Sequence, residues 1–393
     1  MSGASVFYLQ SSASGTAQEA VDSGGGSQST VVFEAAAAGG APPAAAIADL
    51  GDGSEELLVA RADAPGVPSR DRVDIYHIDP ERPPELTTHL NAFDDTGWSS
   101  AGNLAVGDVD ASAVGSELIV ADDGSRRRAS QIRVFGGLRD GAPRLLCQFR
   151  GLRSHSAARQ PVTFALGRVF SGAQFAAQQI VVGDTHGFIY IWGIDHGHAK
   201  LLRWFIAFNG PVSPVRELAV GDVLPDQLGD EVVVADDGSR RDGSVRVFNG
   251  RTGALALEFV AIDPAQAPAG IAVSVADVID SLPGAEIIVG QGEAGGLLRV
   301  YSIAHNTPQP ILDVPDPRHR KTGLSRHLAA GVLMPELPGN ELVVAQLDPT
   351  MPVEIFHLDE GGATKMDDLP IAPELGAAAS EGSVGSVVIA PGS

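Results

Sequence analysis

An internal repeat is the sequence feature that most restricts how this chain can fold. Residues 104–135 contain three runs: Leu-Ala-Val-Gly-Asp-Val, Glu-Leu-Ile-Val-Ala-Asp-Asp-Gly-Ser-Arg-Arg and Ile-Arg-Val-Phe. Residues 218–248 contain three similar runs, and the second again ends in Asp-Asp-Gly-Ser-Arg-Arg. Weaker copies start near residues 47, 164, 271 and 328, so the copies follow each other about every 53 to 60 residues. A period of this length excludes leucine-rich and short helical repeats.

Each copy consists of short β-branched runs separated by Gly, Pro, Asp or Ser. Runs of about four to eight such residues between turn-forming residues predict strands. The run Val-Val-Val-Ala at 232–235 is apolar at consecutive positions, which is typical of a strand that is covered on both faces. A fourth run follows in several copies, as at 201–205 and 255–259. Four antiparallel strands per copy, repeated radially, predict an all-β fold, the β-propeller.

The copies divide residues 1–393 into the blades of one predicted domain. Six complete blades are expected at about 45–100, 101–160, 161–214, 215–268, 269–324 and 325–375. Residues 376–393 and 1–44 supply a composite seventh blade, with the C-terminal run as its innermost strand. A seven-bladed propeller whose last blade is closed by N- and C-terminal strands has no free sheet edge. The Gly/Ser-rich stretch 12–28 predicts a mobile loop in that blade.

The composition argues against two classes of partner. The chain has 49 acidic and 27 basic residues and a formal net charge of −22. Because binding to a phosphate backbone needs clustered Lys and Arg, no nucleic-acid partner is expected. No window approaches the run of about 20 apolar residues that a membrane span needs, so no membrane span is expected. Cys147 is the only cysteine, which excludes an internal disulfide.

The repeat resembles the FG-GAP and VCBS-type repeats of integrin α-subunits and bacterial surface proteins. The run Val-Arg-Val-Phe-Asn-Gly-Arg-Thr-Gly at 245–253 is similar to the end of such a repeat. Members of this group include adhesion modules, lectins and accessory domains of polysaccharide-degrading enzymes. The resemblance therefore favours an extracellular or cell-surface location. Residues 1–20 contain neither the basic region nor the apolar segment of a signal peptide, so the chain as given reads as cytoplasmic.

The resemblance also implies calcium in the loop between the first and second strands, where the family often carries D-x-D-x-D-G-x-x-D. Converging carboxylate oxygens at that spacing suit a hard cation. The best matching loops start at Asp108 and Asp222, although neither has the full motif. The candidate ligands are Asp108, Asp110, Glu117, Asp222, Asp226 and Asp230. The alternative is that each leading Asp caps a turn and each Glu begins a strand.

The repeated Asp-Asp-Gly-Ser-Arg-Arg loops form the second candidate site. They connect strands two and three, and the loops between successive blades open onto the same face. Carboxylates and guanidinium groups beside a Trp suit a polar ligand, whereas salt bridges within each loop are the alternative. The candidate ligand-binding residues are Asp122, Asp123, Arg126, Arg127, His186, Asp236, Asp237, Arg240, Arg241 and Trp98.

Sequence motifs do not indicate catalysis. The match to G-x-G-x-x-G at 290–295 is followed by a strand-like run instead of a helix, so no nucleotide cofactor is expected. The chain lacks H-E-x-x-H, C-x-x-C and G-x-S-x-G, and no catalytic residue is assigned. We therefore expect a non-catalytic module that binds a glycan or a protein on the face of the strand 2–3 and 4–1 loops. A polysaccharide lyase or hydrolase using the same face, and a structural subunit of a larger assembly, are the alternatives.

Overall fold

The computed structural model describes most of the repeat region and the strands near both termini. The described residues are 6–11, 16–21, 29–34, 45–49, 55–60, 72–79, 82–93, 101–122, 130–138, 141–153, 162–170, 176–209, 215, 217–236, 240, 242–265, 270–291, 297–314, 326–331, 341–346, 353–369 and 383–389. Every regular element in these ranges is a β-strand, which confirms the all-β prediction.

The described strands form four-stranded antiparallel sheets, as the repeat predicts, and six sheets contain consecutive strands. Sheets 1 and 2 consist of β4 (Ala45–Asp49), β5 (Glu55–Ala60), β6 (Arg72–Asp79), β7 (Arg82–Asn91), and β8 (Ala101–Gly107), β9 (Glu117–Asp122), β10 (Gln131–Gly136), β11 (Arg144–Arg150). Sheets 3 and 4 consist of β12 (Thr163–Gly167), β13 (Gln179–Gly183), β14 (Phe188–Asp195), β15 (His198–Ile206), and β16 (Glu217–Gly221), β17 (Glu231–Ala235), β18 (Ser244–Asn249), β19 (Ala254–Val260). Sheets 5 and 6 consist of β20 (Ile271–Ala276), β21 (Glu286–Gln291), β22 (Leu298–Ala304), β23 (Thr307–Val314), and β24 (Arg326–Gly331), β25 (Glu341–Gln346), β26 (Val353–Asp359), β27 (Gly362–Leu369).

A further sheet, the terminal sheet, joins the two ends of the described chain. Its order is β28-β1-β2-β3, with β1 (Val6–Ser11), β2 (Thr16–Val21), β3 (Ser29–Glu34) and β28 (Ser383–Ile389). The loop predicted for 12–28 is wrong over Thr16–Val21, because this segment pairs with β1 on one side and with β3 on the other. Backbone hydrogen bonds to two partners override the weak strand propensity of its small and polar residues.

Burial differs between the second and fourth strands of the central sheets. All residues of β9, β13, β17 and β21 are buried, as the consecutive apolar pattern predicts, whereas the fourth strands β11, β15 and β19 are largely half-buried or exposed. Successive residues of a strand face opposite sides, so Val182 packs toward sheet 2 and Val181 toward sheet 4. The hydrophobic core is therefore divided among the interfaces between adjacent sheets.

The first strands of the sheets lie side by side in chain order. Each of β4, β8, β12, β16 and β20 contacts the first strand of the following sheet. The strand β28 contacts both β24 and β4, and thus has the neighbours that the innermost strand of a terminal blade requires. That the C-terminal run closes a seventh blade stays a prediction.

Side chains on the third strands tie each of four sheets to the preceding one. In each case a side-chain donor reaches a backbone carbonyl just after the fourth strand of the preceding sheet. The four contacts are Arg133 Nη1 to Ala92 O (2.8 Å), Trp192 Nε1 to Gly151 O (3.0 Å), Arg246 Nη1 to Ala207 O (2.6 Å) and Tyr301 Oη to Ala261 O (2.5 Å). Sheets 2 and 4 thus use a guanidinium group where sheets 3 and 5 use an aromatic donor two positions further on.

Candidate functional site

The loops between first and second strands are organised by a buried glutamate. Glu117, Glu231 and Glu286 each begin a second strand and have no exposed surface. Their Oε2 atoms accept hydrogen bonds from backbone N–H groups of their own loops. These bonds come from Val109 (2.9 Å) and Asp110 (3.1 Å), from Leu224 (2.9 Å), and from Val278 (3.0 Å) and Ile279 (3.1 Å), respectively. Each glutamate therefore closes its loop from the inside.

The second oxygen of these glutamates is unusual. Among the described residues, Oε1 of Glu117, Glu231 and Glu286 has no hydrogen-bond partner, although it is buried. Burial raises the pKa of each carboxyl to about 7, against the lowering effect of the backbone N–H groups. In sheet 6, Glu341 lies at the corresponding position, and its Oε1 is 3.2 Å from Nδ1 of His357.

In the first predicted calcium loop, Asp108 and Asp110 differ in exposure and in hydrogen bonding. Asp108 is exposed, whereas Asp110 is 2% exposed and connects sheet 2 to sheet 3. Its carboxylate accepts hydrogen bonds from Ser112 and from the backbone N–H groups of His196 (3.2 Å) and Gly197 (2.7 Å). Burial acts to raise the pKa of Asp110, but these hydrogen bonds outweigh it and lower the pKa. Asp110 thus acts as a contact between neighbouring sheets.

The second predicted calcium loop also contacts its neighbour. Asp230 Oδ2 accepts a hydrogen bond from the backbone N–H of Arg168 in sheet 3, at 2.6 Å. Asp222 and Asp226 are exposed, and partial burial together with the charge of Asp230 raises the pKa of Asp222. In the part of the chain that the structure describes, no three His, Cys, Asp or Glu side chains converge as a metal site would require. Calcium binding at these loops stays a prediction.

At the opposite end of the sheets, aspartates cap the loops between second and third strands. Asp122 and Asp236 are buried, and their carboxylates accept hydrogen bonds from backbone N–H groups across their own loops. Asp184 has the same role in sheet 3, where Oδ1 accepts hydrogen bonds from His186 N and Phe188 N, both at 2.8 Å. The first Asp of each repeated loop thus stabilises the loop conformation. Because this side chain is buried, it lies beneath the surface that a ligand would contact.

Two of the predicted binding side chains lie at this surface in the described residues. Arg240 donates from Nε to Asp242 at 2.7 Å, and its guanidinium carbon lies 5.1 Å from the ring centre of Phe208. His186 is half-buried, with Nδ1 3.3 Å from Oγ1 of Thr185. The remaining predicted residues lie outside the described ranges, and these are Trp98, Asp123, Arg126, Arg127, Asp237 and Arg241.

The structure adds an aromatic patch that the sequence analysis missed. Phe188 and Ile206 are paired across β14 and β15, and Trp204 lies two residues from Ile206 on the same face of β15. The rings of Phe188 and Trp204 are 6.0 Å apart, and Trp204 is 54% exposed. This patch begins two residues after His186, at the same end of the sheets as Arg240. The available signal was the alternation of Leu202, Trp204 and Ile206 along the second half of an outer strand, where one face is open to solvent.

No model of a protein family matches the chain, and no curated protein matches it in sequence. No helix in the described ranges has the length and apolar character of a membrane span.

Three solved structures illustrate the likeness. Sqt1 of Saccharomyces cerevisiae has a TM-score of 0.52 and 12% identity, over 83% of this chain and 75% of Sqt1. A chain of the mitotic checkpoint complex has a TM-score of 0.52 and 14% identity, over 84% of this chain and 80% of its own length. Raptor of Chaetomium thermophilum has a TM-score of 0.59 and 14% identity, over 98% of this chain and 27% of Raptor. These are proteins of the WD40 or β-propeller type, so the likeness supports the β-propeller fold of the chain, whereas the FG-GAP resemblance stays an expectation.

Proposed function

We propose that this chain is a closed seven-bladed β-propeller that acts as a non-catalytic protein-binding module. The ring closure is supported by the contacts of β28 with β24 and β4, which continue the series formed by the first strands of the other sheets. Closure leaves the loops as the principal variable surfaces, because the strand edges nearest the axis are all covered. We infer that the binding surface is the face of the strand 2–3 and 4–1 loops.

The aromatic patch of Phe188, Trp204 and Ile206 is the observation that carries this proposal. Trp204 is 54% exposed and lies beside a second aromatic ring, so the two rings present apolar surface to water. A partner that covers this surface would gain the free energy of removing it from water. Trp and Arg are the side chains that most often dominate the binding energy of protein interfaces. Arg240 and His186, which lie in strand 2–3 loops, supply polar groups at the same end of the sheets.

The proposal includes the arginines predicted from the repeated loops. Arg126, Arg127 and Arg241, together with Trp98, would extend the same surface on either side of sheet 3. At the level of fold, it agrees that a similar propeller chain belongs to the mitotic checkpoint complex, an assembly of proteins. Recognition of a glycan is the second candidate, because the broad apolar face of an exposed Trp also suits the face of a sugar ring.

The test compares Trp204→Ala with Leu255→Ala, which removes an exposed apolar side chain from the outer strand β19. A displayed library of random dodecapeptides is selected on the wild-type protein, and the selected peptides are measured against both variants. We expect Trp204→Ala to weaken binding about tenfold or more, as for a central interface Trp, and Leu255→Ala to leave it unchanged. If both variants unfold at the same temperature as wild type, the weaker binding of Trp204→Ala does not result from a loss of folding.

Three outcomes would contradict the proposed function. Peptides that bind wild type and Trp204→Ala equally would remove the aromatic patch from the site. Selection of no specific peptide, together with Trp204-dependent binding on a glycan array, would replace the protein ligand by a carbohydrate. Turnover of a polysaccharide by the purified chain would favour the enzyme alternative.

A further inference from the structure

A cleft between sheets 3 and 4 lies at the end of the sheets opposite the strand 2–3 loops. It has a volume of about 460 Å³, within the usual size range of ligand sites. Sheet 3 contributes Phe170 and the outer-strand residue Arg203. Sheet 4 contributes Arg251 from the turn after β18 and two residues of its strand 1–2 loop, Gln227 and Leu228. Because two sheets provide the walls, the cleft exists only in the assembled fold.

The two arginines give the cleft its charge. Arg203 is exposed and Arg251 is half-buried, and they come from opposite walls. Within the described ranges, neither guanidinium group makes an ion pair or a side-chain hydrogen bond. The chain has 49 acidic and 27 basic residues, so two arginines in one cleft without a described acidic partner stand out from an otherwise acid-rich molecule. Two guanidinium groups that line one cleft favour an anionic ligand, because each offers a planar fork of donors.

A hydrogen-bonded chain fixes the polar side chains of the cleft. Asn249 Oδ1 accepts hydrogen bonds from the backbone N–H (3.0 Å) and the hydroxyl (2.9 Å) of Thr252. Asn249 Nδ2 donates to Gln227 Oε1 at 2.7 Å. Oε1 of Gln227 accepts this hydrogen bond, which fixes the amide group and leaves its NH₂ group to donate to a ligand. The cleft therefore offers donors that are already oriented, which lowers the entropic cost of binding.

Apolar side chains form the rest of the lining. Leu228 is 69% exposed, and Phe170 is half-buried beside it. A small inorganic anion would use the guanidinium groups and leave these side chains in water. A ligand that covers them needs an apolar group next to its negative charge.

We propose that this cleft binds a peptide segment that has one carboxylate beside an apolar side chain and belongs to a partner protein. This inference rests on the proposed protein-binding function. The carboxylate lies between Arg203 and Arg251, and the apolar side chain contacts Leu228 and Phe170. The net charge of −22 opposes a strongly acidic segment at long range, which favours a single carboxylate with apolar neighbours. The site is distinct from the aromatic patch, because Arg203 and Trp204 are consecutive in β15 and face opposite sides.

The test uses two fluorescent peptide mixtures, acetyl-Φ-Glu-Φ-amide and acetyl-Φ-Gln-Φ-amide, where Φ is Leu, Ile, Val or Phe. Fluorescence anisotropy measures their binding to the full chain and to Arg203→Gln, Arg251→Gln, Arg144→Gln and Trp204→Ala. Arg144 is an exposed arginine on the outer strand of sheet 2, so its variant removes the same charge outside the cleft. We expect the Glu mixture to bind wild type about tenfold or more tightly than the Gln mixture, and each cleft variant to lose about tenfold or more. Arg144→Gln and Trp204→Ala should bind like wild type.

Other results would overturn the inference. Equal binding of the two mixtures, or no binding of either, shows that the cleft does not recognise a carboxylate in a peptide. Stabilisation by inorganic phosphate or by trigalacturonate that depends on Arg203 and Arg251, without peptide binding, assigns the cleft to another anion. Loss of peptide binding in Trp204→Ala alone retains the proposed function at the aromatic patch and removes the cleft. If Arg251→Gln does not fold, Arg251→Lys keeps the charge without the planar fork and should still weaken binding of the Glu mixture.

Discussion

The residues with the clearest energetic signature are the buried glutamates at the start of the second strands. Oε2 of Glu286 accepts two backbone hydrogen bonds, but Oε1 has no hydrogen-bond partner in the described part of the chain. A charged carboxylate in this position loses hydration that its protein neighbours do not fully replace. Burial accordingly raises the pKa of Glu286 to about 7.

We predict that protonation of these glutamates makes the protein more stable at mildly acidic pH. The folded state holds the Glu286 proton more tightly than the unfolded state, whose pKa is near 4.5. Stability from this proton is therefore complete below pH 4.5 and is lost as the pH rises to about 7, by up to about 3 kcal/mol per group. Glu286→Gln, which mimics the protonated form, should show a smaller decrease in the free energy of unfolding between pH 5 and 8. Urea unfolding at several pH values measures this, and identical slopes in the two proteins would contradict it.

Individual residues also show what sequence reasoning could and could not find. The first Asp of each repeated loop was recognisable as special, but only the structure shows that Asp122 and Asp236 accept hydrogen bonds from backbone N–H groups across their loops. An Asp that caps a loop and an Asp that binds a ligand have the same sequence signature. Trp204 was missed for a related reason, because a Trp in a strand-like run indicates burial unless the strand is known to be an outer one.

At the scale of elements, the glycines of the strand 1–2 loops show how closely neighbouring sheets approach. Gly115, Gly229 and Gly284 precede their glutamates by two residues and have φ angles of 87°, 85° and 82°. A side chain on Gly229 would also overlap the carbonyl oxygen of Val169 in sheet 3. Gly229 is thus required both by its own backbone conformation and by the close approach of the preceding sheet.

We predict that Gly229→Ala lowers the free energy of unfolding by about 2 kcal/mol or more, from left-handed backbone strain plus the overlap with Val169. Gly141→Ala is the matched control, because Gly141 also has a positive φ (64°) but has no atom within 4 Å of an added Cβ. The control should lose only about 1 kcal/mol. Chemical denaturation measures both variants, and equal losses would show that close approach of the sheets contributes nothing.

The same loops provide the calcium prediction. If Asp108 with Asp110 and Glu117, or Asp222 with Asp226 and Asp230, bind the ion, millimolar calcium should raise Tm relative to chelator. The shift should disappear in Asp108→Asn combined with Asp222→Asn, because both loops then lose an exposed carboxylate. Calorimetry that shows the same Tm with calcium and with chelator would favour the loops as contacts between sheets, the role seen for Asp110 and Asp230.

Elements differed in how well the sequence predicted them. The second strands were predictable because burial on both faces requires apolar residues at every position, as in Val232–Ala235. The strand β2 was not, because Thr-Ala-Gln-Glu-Ala-Val is a weak strand former that pairing on both sides holds in place. The donors that link the sheets were also hidden, since sequence does not specify which carbonyl of the preceding sheet Trp192 or Arg246 meets.

At the scale of the whole molecule, stability depends on interfaces between sheets that are far apart in sequence. Among the described residues of sheets 1 to 6, each hydrophobic cluster joins two successive sheets. In such an arrangement, a sheet that lies between two others is stabilised by both neighbours, as in repeat proteins. In the closed ring that we propose, the terminal sheet would bring the two ends of the described chain together and complete this arrangement.

We predict that deletion of residues 383–393 destabilises the entire protein. The deletion removes β28, which pairs with β1 and contacts β24 and β4, and therefore exposes a strand edge and two neighbouring first strands. The Tm should fall by more than about 5 °C, in a single transition, because loss of one interface weakens the neighbours on both sides. Deletion of residues 390–393 is the control, since it leaves β28 intact and should not change Tm. Calorimetry of the three proteins measures this; an unchanged Tm after the longer deletion would mean that β28 does not close the ring, and a separate low-temperature transition would mean that the terminal sheet unfolds independently of the others.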